Sequence, residues 1–189
     1  MKKSVTFFEK KGPDNTGDCL EIVKTAAAEL NCRNIVVAST NGDTGRLFAE
    51  GMKGRDTNLI VVTHSHGFKE PNTIELTDEA RKAITDTGAT IYTGTMITHS
   101  IETSLAKNFS GVYPTLLVAQ TLRIFGQGTK VCCEIVMMAA DAGLIPEGEE
   151  VIAVAGTGHG ADTVTVLNAM PSKRFLDLKV LEILAKPRH

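Results

Sequence analysis

The chain has 189 residues, 42% hydrophobic and 22% charged, and its 20 basic and 22 acidic side chains leave a formal net charge of −2. This length and composition predict one globular domain over residues 1–189 and exclude a disordered chain, a collagen-like repeat and a disulfide scaffold. The charges are interleaved and tryptophan is absent, which argues against a nucleic-acid partner. No apolar run reaches the roughly 18 residues of a membrane helix, so we expect no membrane contact and a cytoplasmic protein.

The first half of the chain predicts strands that alternate with helices. A weak alternation predicts a short strand over residues 4–8, and apolar residues at steps of three and four predict a helix over residues 16–30. Apolar runs predict three further strands, at residues 34–39, 58–63 and 89–93. The first two runs are nearly continuous, as in parallel strands covered on both faces. Helices are predicted between these strands, at residues 43–53 and 77–87.

The second half predicts helices first and strands last. A polar connection over residues 95–114 contains a short predicted helix at 100–107 and is a candidate lid. Two more helices are predicted at 115–125 and 129–142, and the second is apolar nearly all round, as buried helices are. Strands follow at residues 151–155 and 163–167, and residues 175–184 predict a last strand or strand and helix. Together the elements predict a doubly wound, mostly parallel α/β sheet with helices on both faces.

The cysteines and histidines give weak signals for chemistry. Four cysteines match no zinc or redox spacing, and we expect reduced thiols in the core. His64 and His66 lie two residues apart, as in a metal pair on a strand, and a metal hydrolase is the least favoured alternative. Because no acidic cluster accompanies them, we expect no metal and assign His64 to the wall of a ligand cleft. His99 is expected on the lid or the surface.

The turn after the predicted strand 34–39 carries the strongest binding signal. Its residues are Ser39, Thr40, Asn41, Gly42, Asp43 and Thr44. In open α/β sheets, ligands collect outside the carboxyl ends of strands, where helix N-termini favour anions. Hydroxyls, glycines that permit close approach and a helix N-terminus together suit a phosphate monoester. The alternative is that the polar side chains only cap the helix. The Gly-Lys-Ser/Thr ending of an ATP-hydrolysing loop is missing.

Two other glycine-containing segments are candidates for ligand contact. The later turn contains Gly156, Thr157, Gly158, His159, Gly160 and Asp162. It loosely matches a dinucleotide fingerprint, but a β segment follows it instead of a helix, which disfavours NAD. Its glycines predict either a backbone that a ligand approaches, with Thr157, His159 and Asp162 facing that space, or a hairpin turn. The second segment surrounds Gln127 between two glycines, and it predicts either a helix corner or a ligand contact.

Longer motifs resemble a known family. The sequences VVASTNGDTGR (36–46) and NLIVVT (58–63) resemble the effector-binding C-terminal domain of pyruvate kinase. More specific are GFKEP (67–71), FGQG (125–128), AADAGLIP (139–146) and GTGHGADT (156–163). These motifs are similar to the stand-alone pyruvate kinase C-terminal-domain-like family, whose members are largely archaeal, functionally unassigned and without the catalytic barrel.

The resemblance implies a doubly wound sheet and, as in some members, a bound FMN. Its phosphate would occupy the turn at residues 39–44, and Gly67, Phe68, Thr95, Gln127 and the 156–162 turn would line the ribityl and ring portions. The family usually has arginine where this chain has His159. We therefore expect an FMN-binding protein of unassigned activity, with a small flavin-dependent oxidoreductase as its enzymatic form. The alternative is a non-catalytic sensor of a sugar phosphate or nucleotide. In either form the partner is a phosphate-bearing small molecule, and a homo-oligomer would be unsurprising.

Overall fold

A seven-stranded mixed sheet forms the centre of the computed structural model, which describes residues 3–189. Its strands are β1 (Thr6–Phe8), β2 (Asn34–Ala38), β3 (Asn58–Val62), β4 (Thr90–Tyr92), β5 (Glu150–Ala155), β6 (Thr163–Asn168) and β7 (Lys179–Pro187). They are ordered β1-β7-β6-β5-β2-β3-β4. Only β6 runs antiparallel to its neighbours, β5 and β7. The carboxyl ends of the other strands therefore meet at one edge.

Six α-helices lie around this sheet, and four of them pack against its strands. They are α1 (Thr16–Leu30), α2 (Asp43–Met52), α3 (Asp78–Thr85), α4 (Ile101–Asn108), α5 (Pro114–Arg123) and α6 (Gln127–Asp141). Short 3-10 helices lie at Pro13–Asn15 and Ser172–Asp177. Helices α1, α2 and α3 pack on one face, and α6 packs on the other with α5 beside it. No helix within residues 3–189 has the length and apolarity to cross a membrane.

The central strands are buried on both faces because their side chains alternate. In β2, Ile35 and Val37 join the core beneath α1 and α2, whereas Val36 joins the core beneath α6. All four cysteines are buried and free, as predicted. Burial raises the pKa of Cys133 to about 11, so this thiol is a poor nucleophile at neutral pH.

The predicted α/β fold with helices on both faces is confirmed, and most predicted bounds lie within two residues of the observed ones. The last segment, predicted as a strand or a strand and helix, forms a 3-10 turn and then β7. The segment around Gln127 marks a break between helices: α5 ends at Arg123 and α6 begins at Gln127, with Gly126 at φ of +119° before it, while Gly128 lies inside α6.

Candidate ligand-binding cleft

A cleft of about 290 Å³ lies at the edge where the carboxyl ends of β2, β3 and β5 meet. The turns after these three strands form part of its wall, and Met96, His99 and the first three turns of α6 complete it. Of the predicted site residues, the cleft brings together Ser39, Thr40, Asn41, Thr44, His64, Phe68, Gln127, Gly156, Gly158, His159 and Gly160. The location follows from the topology, because parallel neighbouring strands present their carboxyl ends side by side.

The turn after β2 does cap helix α2. The buried Ser39 hydroxyl accepts a hydrogen bond from the Gly45 amide at 3.0 Å, and Asn41 Oδ1 accepts one from the Asp43 amide at 3.3 Å. Asn41 Nδ2 also donates to Asp43 Oδ2 at 2.7 Å. A phosphate at this turn would therefore rely on Thr40, Thr44 and backbone amides other than those of Asp43 and Gly45.

The glycines of this turn are required by packing, and ligand approach to their backbone stays a prediction. Gly42 has φ of +102°, and a Cβ there would lie 2.3 Å from the Cβ of Ala80 in α3. A Cβ on Gly45 would lie 2.6 Å from Cγ1 of Val61 in β3. Both glycines let α2 approach its neighbours, and neither they nor Asp43 line the cleft.

His64 lies in the cleft wall with a partner on each side. Its Nδ1 is 3.0 Å from Oε1 of Glu75, and its Nε2 is 3.4 Å from the Thr40 hydroxyl. The Glu75 carboxylate accepts a hydrogen bond from Nδ1, so Nδ1 carries a proton. The Phe68 ring lies 4.3 Å from the imidazole, between centroids. His66 is exposed and outside the cleft, and within residues 3–189 no cluster of three or more His, Cys, Asp or Glu could hold a metal.

The glycine-rich turn after β5 is held by Asp162 from inside. This carboxylate is fully buried and accepts hydrogen bonds from the amides of Gly12 at 3.0 Å and Thr157 at 3.1 Å. The expectation that Thr157, His159 and Asp162 all face the ligand space is wrong for Asp162, since it faces the protein interior. Thr157 is absent from the cleft wall, and His159 lines it. A Cβ on Gly160 would lie 2.4 Å from Cα of Pro13, so this glycine is needed for packing.

Two residues assigned to the ring portion by resemblance lie outside the cleft wall. Thr95 is exposed, and Gly67, with φ of +77°, belongs to the turn that follows β3. Gln127 does line the cleft, but its Oε1 accepts a hydrogen bond from Nε of Arg123 at 2.7 Å. Contact of Thr95, Gly67 and Gln127 with a ligand stays a prediction.

The structure adds a buried ionic cluster that the sequence analysis missed. Lys130 and Glu134, four residues apart on α6, form an ion pair in which both side chains are almost fully buried, and both line the cleft. Oε1 of Glu134 accepts hydrogen bonds from the Thr98 amide at 2.7 Å and the Thr98 hydroxyl at 2.6 Å. Nδ1 of His99 lies 3.5 Å from Nζ of Lys130. The sequence did contain a signal for this ion pair, because Lys130 and Glu134 carry opposite charges four residues apart on a helix predicted to be buried.

The surroundings of Glu134 favour its ionised form. Burial raises the pKa of Glu134, but His99, Lys130 and Thr98 outweigh burial and lower it to about 2. Burial lowers the pKa of Lys130, and the neighbouring Glu134 opposes that shift. Glu134 has more partners than Lys130, so the carboxylate is the better stabilised member of the pair.

Comparison with known proteins identifies the family. The family model described as "Pyruvate kinase, alpha/beta domain" matches residues 18–167, from α1 into β6, and this range contains every residue of the cleft wall. The chain belongs to the pyruvate kinase alpha/beta domain family. The resemblance predicted from the sequence motifs is thereby confirmed.

Two solved structures of pyruvate kinase from Cryptosporidium parvum are similar to this family member. One is 15% identical with a TM-score of 0.41, and the match covers 80% of this chain and 23% of that chain. The other is 13% identical with a TM-score of 0.40, and covers 85% of this chain and 23% of that chain. This chain thus spans less than a quarter of the length of these pyruvate kinases.

Proposed function

We propose that this pyruvate kinase-type α/β domain binds FMN in the cleft. The observation that supports the proposal best is the division of the cleft wall into two parts. One part is the turn before α2, with the Thr40 and Thr44 hydroxyls and a helix N-terminus that favours an anion. The other part is mainly apolar, with Phe68, Met96, Val131, Ile135 and Met138, and it also contains the Lys130–Glu134 ion pair. A phosphate suits the first part and a flat aromatic ring suits the second.

The residues of the wall would bind and orient the cofactor. Thr40 and Thr44 would donate to phosphate oxygens, with His64 behind Thr40, while Phe68 and Met96 would exclude water from the ring. Bound FMN would supply the redox chemistry, which makes a small oxidoreductase the matching enzymatic form. The cleft volume of about 290 Å³ lies just below the usual range of ligand pockets, roughly 300–1,000 Å³, so part of the ring would remain outside the cleft and accessible to a redox partner.

The same small volume favours a second candidate, a sensor that binds a sugar phosphate or nucleotide without chemistry. Such a ligand would use the turn before α2 and leave the apolar wall largely uncovered. The two candidates differ in colour. A flavoprotein absorbs visible light and bleaches on reduction, whereas a sensor is colourless but is stabilised by its ligand through mass action.

The test is the visible spectrum of the purified protein, mass analysis of what heat releases, and titration of the stripped protein with FMN. Thr44→Val should weaken FMN binding roughly ten- to a hundredfold, because a hydrogen bond to a charged group is lost. Thr25→Val, at an exposed site on α1, is the matched control and should bind as the wild type does. A colourless protein that fails to bind added FMN, yet is stabilised by a hexose bisphosphate, would replace this proposal with the sensor.

A further inference from the structure

Lys130 is a charged residue in a place where packing does not require one. Its side chain is 1% exposed, it lies on the apolar face of α6 among Val131, Ile135 and Met138, and it lines the cleft. Burying a charge is costly, and well-packed apolar residues in place of a buried ion pair often leave stability unchanged or improved. Stability alone therefore gives no reason for this pair.

Counting hydrogen bonds shows that Lys130 retains donor capacity. A lysine ammonium has three N–H donors and no acceptor. Oε2 of Glu134 accepts one, and Nδ1 of His99, at 3.5 Å, is at the outer limit of a second. Among the described residues 3–189, Nζ makes no third hydrogen bond. One or two donors of a buried ammonium are thus available to a group that enters the cleft.

Glu134 holds the Lys130 ammonium in place. Its carboxylate cannot shift to accept hydrogen bonds from the remaining N–H donors of Lys130. Its Oε1 is already occupied by the amide and hydroxyl of Thr98, so the carboxylate is tied both to α6 and to the segment before α4. The same segment carries Met96 and His99 into the cleft wall. The pair is therefore a rigid, preorganised element of the cleft, and it does not depend on the mobility of a long side chain.

We propose that Lys130 is a second recognition point of the cleft, for a carbonyl or electron-rich edge at the end of the ligand remote from its phosphate. This inference rests on the proposed function, and in FMN the matching group is the N1 and C2-carbonyl edge of the ring. The adjacent Glu134 carboxylate repels a dianionic phosphate but tolerates a neutral acceptor, which is why we assign the ring edge to Lys130. The apolar neighbours Ile135 and Met138 match a ring in the same way.

Lys130 also favours the reduced cofactor. Two-electron reduced FMN carries more negative charge at this edge than oxidised FMN, so a fixed ammonium binds the reduced form more tightly. If removal of the ammonium costs the reduced form tenfold more affinity than the oxidised form, the midpoint potential of the bound flavin falls by about 30 mV.

The experiment compares Thr44→Val with the double variant Lys130→Met/Glu134→Gln, which avoids a lone buried carboxylate. Each stripped protein is titrated with FMN and with riboflavin, which has the ring but no phosphate. We expect the double variant to lose affinity for FMN and for riboflavin by the same factor, roughly tenfold or more. Thr44→Val should lose affinity for FMN only. Reductive titration of the FMN-loaded proteins should give a lower midpoint potential for the double variant than for Glu134→Gln, because these two proteins differ only by loss of the Lys130 ammonium.

The outcomes separate this inference from the proposed function. If the double variant binds riboflavin as tightly as the wild type does, the assignment of the ring edge to Lys130 is overturned, whatever its affinity for FMN. The proposal that the wild-type protein binds FMN would still stand. Failure of the wild type to bind FMN overturns both. Thermal unfolding and circular dichroism of the double variant and of Glu134→Gln establish that both are folded.

Discussion

Individual buried polar residues define the cleft as much as its exposed ones do. Asp162 is fully buried and holds the glycine-rich turn through the amides of Gly12 and Thr157. Lys130 and Glu134 are paired inside an apolar helix face. Asp162 and Glu134 accept hydrogen bonds from residues far away in the chain, Gly12 and Thr98, and removing one partner of a buried polar pair leaves the other without compensation.

Asp162→Asn should loosen the turn after β5. The amide that replaces one carboxylate oxygen donates and cannot accept, so at least one of the Gly12 and Thr157 amides, or the Thr163 hydroxyl, loses its acceptor. We expect a loss of about 1.5–3 kcal/mol in the free energy of unfolding, measured by urea titration. Asp14→Asn, an exposed site in the 3-10 turn before α1, is the control. A variant as stable as the wild type would contradict the role given to Asp162.

Glu134 should contribute a defined part of the acid sensitivity of the fold. Its pKa is about 2 in the folded protein against 4.5 for the free side chain, so its stabilising effect is present above about pH 4.5 and is lost as the pH falls toward 2. Glu134→Gln should lower the free energy of unfolding at pH 7 by about 3–5 kcal/mol, because Lys130 is left unpaired. Between pH 4.5 and 2 the variant should lose less stability than the wild type.

Urea unfolding at a series of pH values measures this difference. Glu21→Gln, which removes an exposed partner of Lys24, should leave the pH profile unchanged because exposed ion pairs contribute little. Parallel profiles for the wild type and Glu134→Gln across the acid range would contradict the assignment.

At the scale of elements, glycines set how closely helices approach the sheet. A Cβ on Gly128 would lie 2.0 Å from Oγ1 and 2.4 Å from Cβ of Thr163, so α6 can start against β6 only with glycine at this position. The contact places Gln127 and Lys130, which follow on the same helix, in the cleft wall. From the sequence alone, Gly128 predicted a helix corner or a ligand contact, because the strand it would meet could not be identified.

Gly128→Ala and Gly17→Ala should have opposite effects on stability. Alanine is the better helix former by about 1 kcal/mol, and Gly17 in α1 has open space around it, so Gly17→Ala should stabilise by up to that amount. At Gly128 the overlap with Thr163 should outweigh this gain and destabilise by about 1–3 kcal/mol. Thermal unfolding of both variants measures the effect, and equal shifts would contradict the close contact of α6 with β6.

At the scale of the whole molecule, the fold joins a rigid sheet to a more exposed flank formed by α4 and α5. Helix α4 has no buried residue, and large apolar side chains on this flank are exposed: Ile101, Phe109, Val112, Leu117, Ile124 and Phe125. Exposed apolar groups in such number are typical of interaction surfaces. The expectation of a homo-oligomer stays a prediction, and light scattering should give a mass of at least twice the 20.2 kDa of one chain. A monomer over a wide concentration range would contradict it.

Ligand binding should stabilise the entire domain. FMN at a hundred times its dissociation constant adds about 2.7 kcal/mol to the free energy of unfolding. For a domain of this size that corresponds to a rise of roughly 5–10 °C in the unfolding midpoint. Differential scanning fluorimetry with FMN, riboflavin and a hexose bisphosphate measures the shift. An equal shift for the bisphosphate and none for riboflavin would favour the sensor over the flavoprotein.

The sequence by itself determined the elements, the two-sided burial of the sheet and the family, because these depend on local periodicity and on contiguous motifs. The run Ile35-Val36-Val37 predicted a central strand, and the turn that follows it was correctly placed at the cleft. Tertiary structure decided which distant residues meet: His64 with Glu75, Asp162 with Gly12, and Glu134 with Thr98. It also decided that Gly42, Gly45 and Gly160 serve packing. Such contacts depend on how closely elements pack in three dimensions, and no local pattern in the chain encodes that distance.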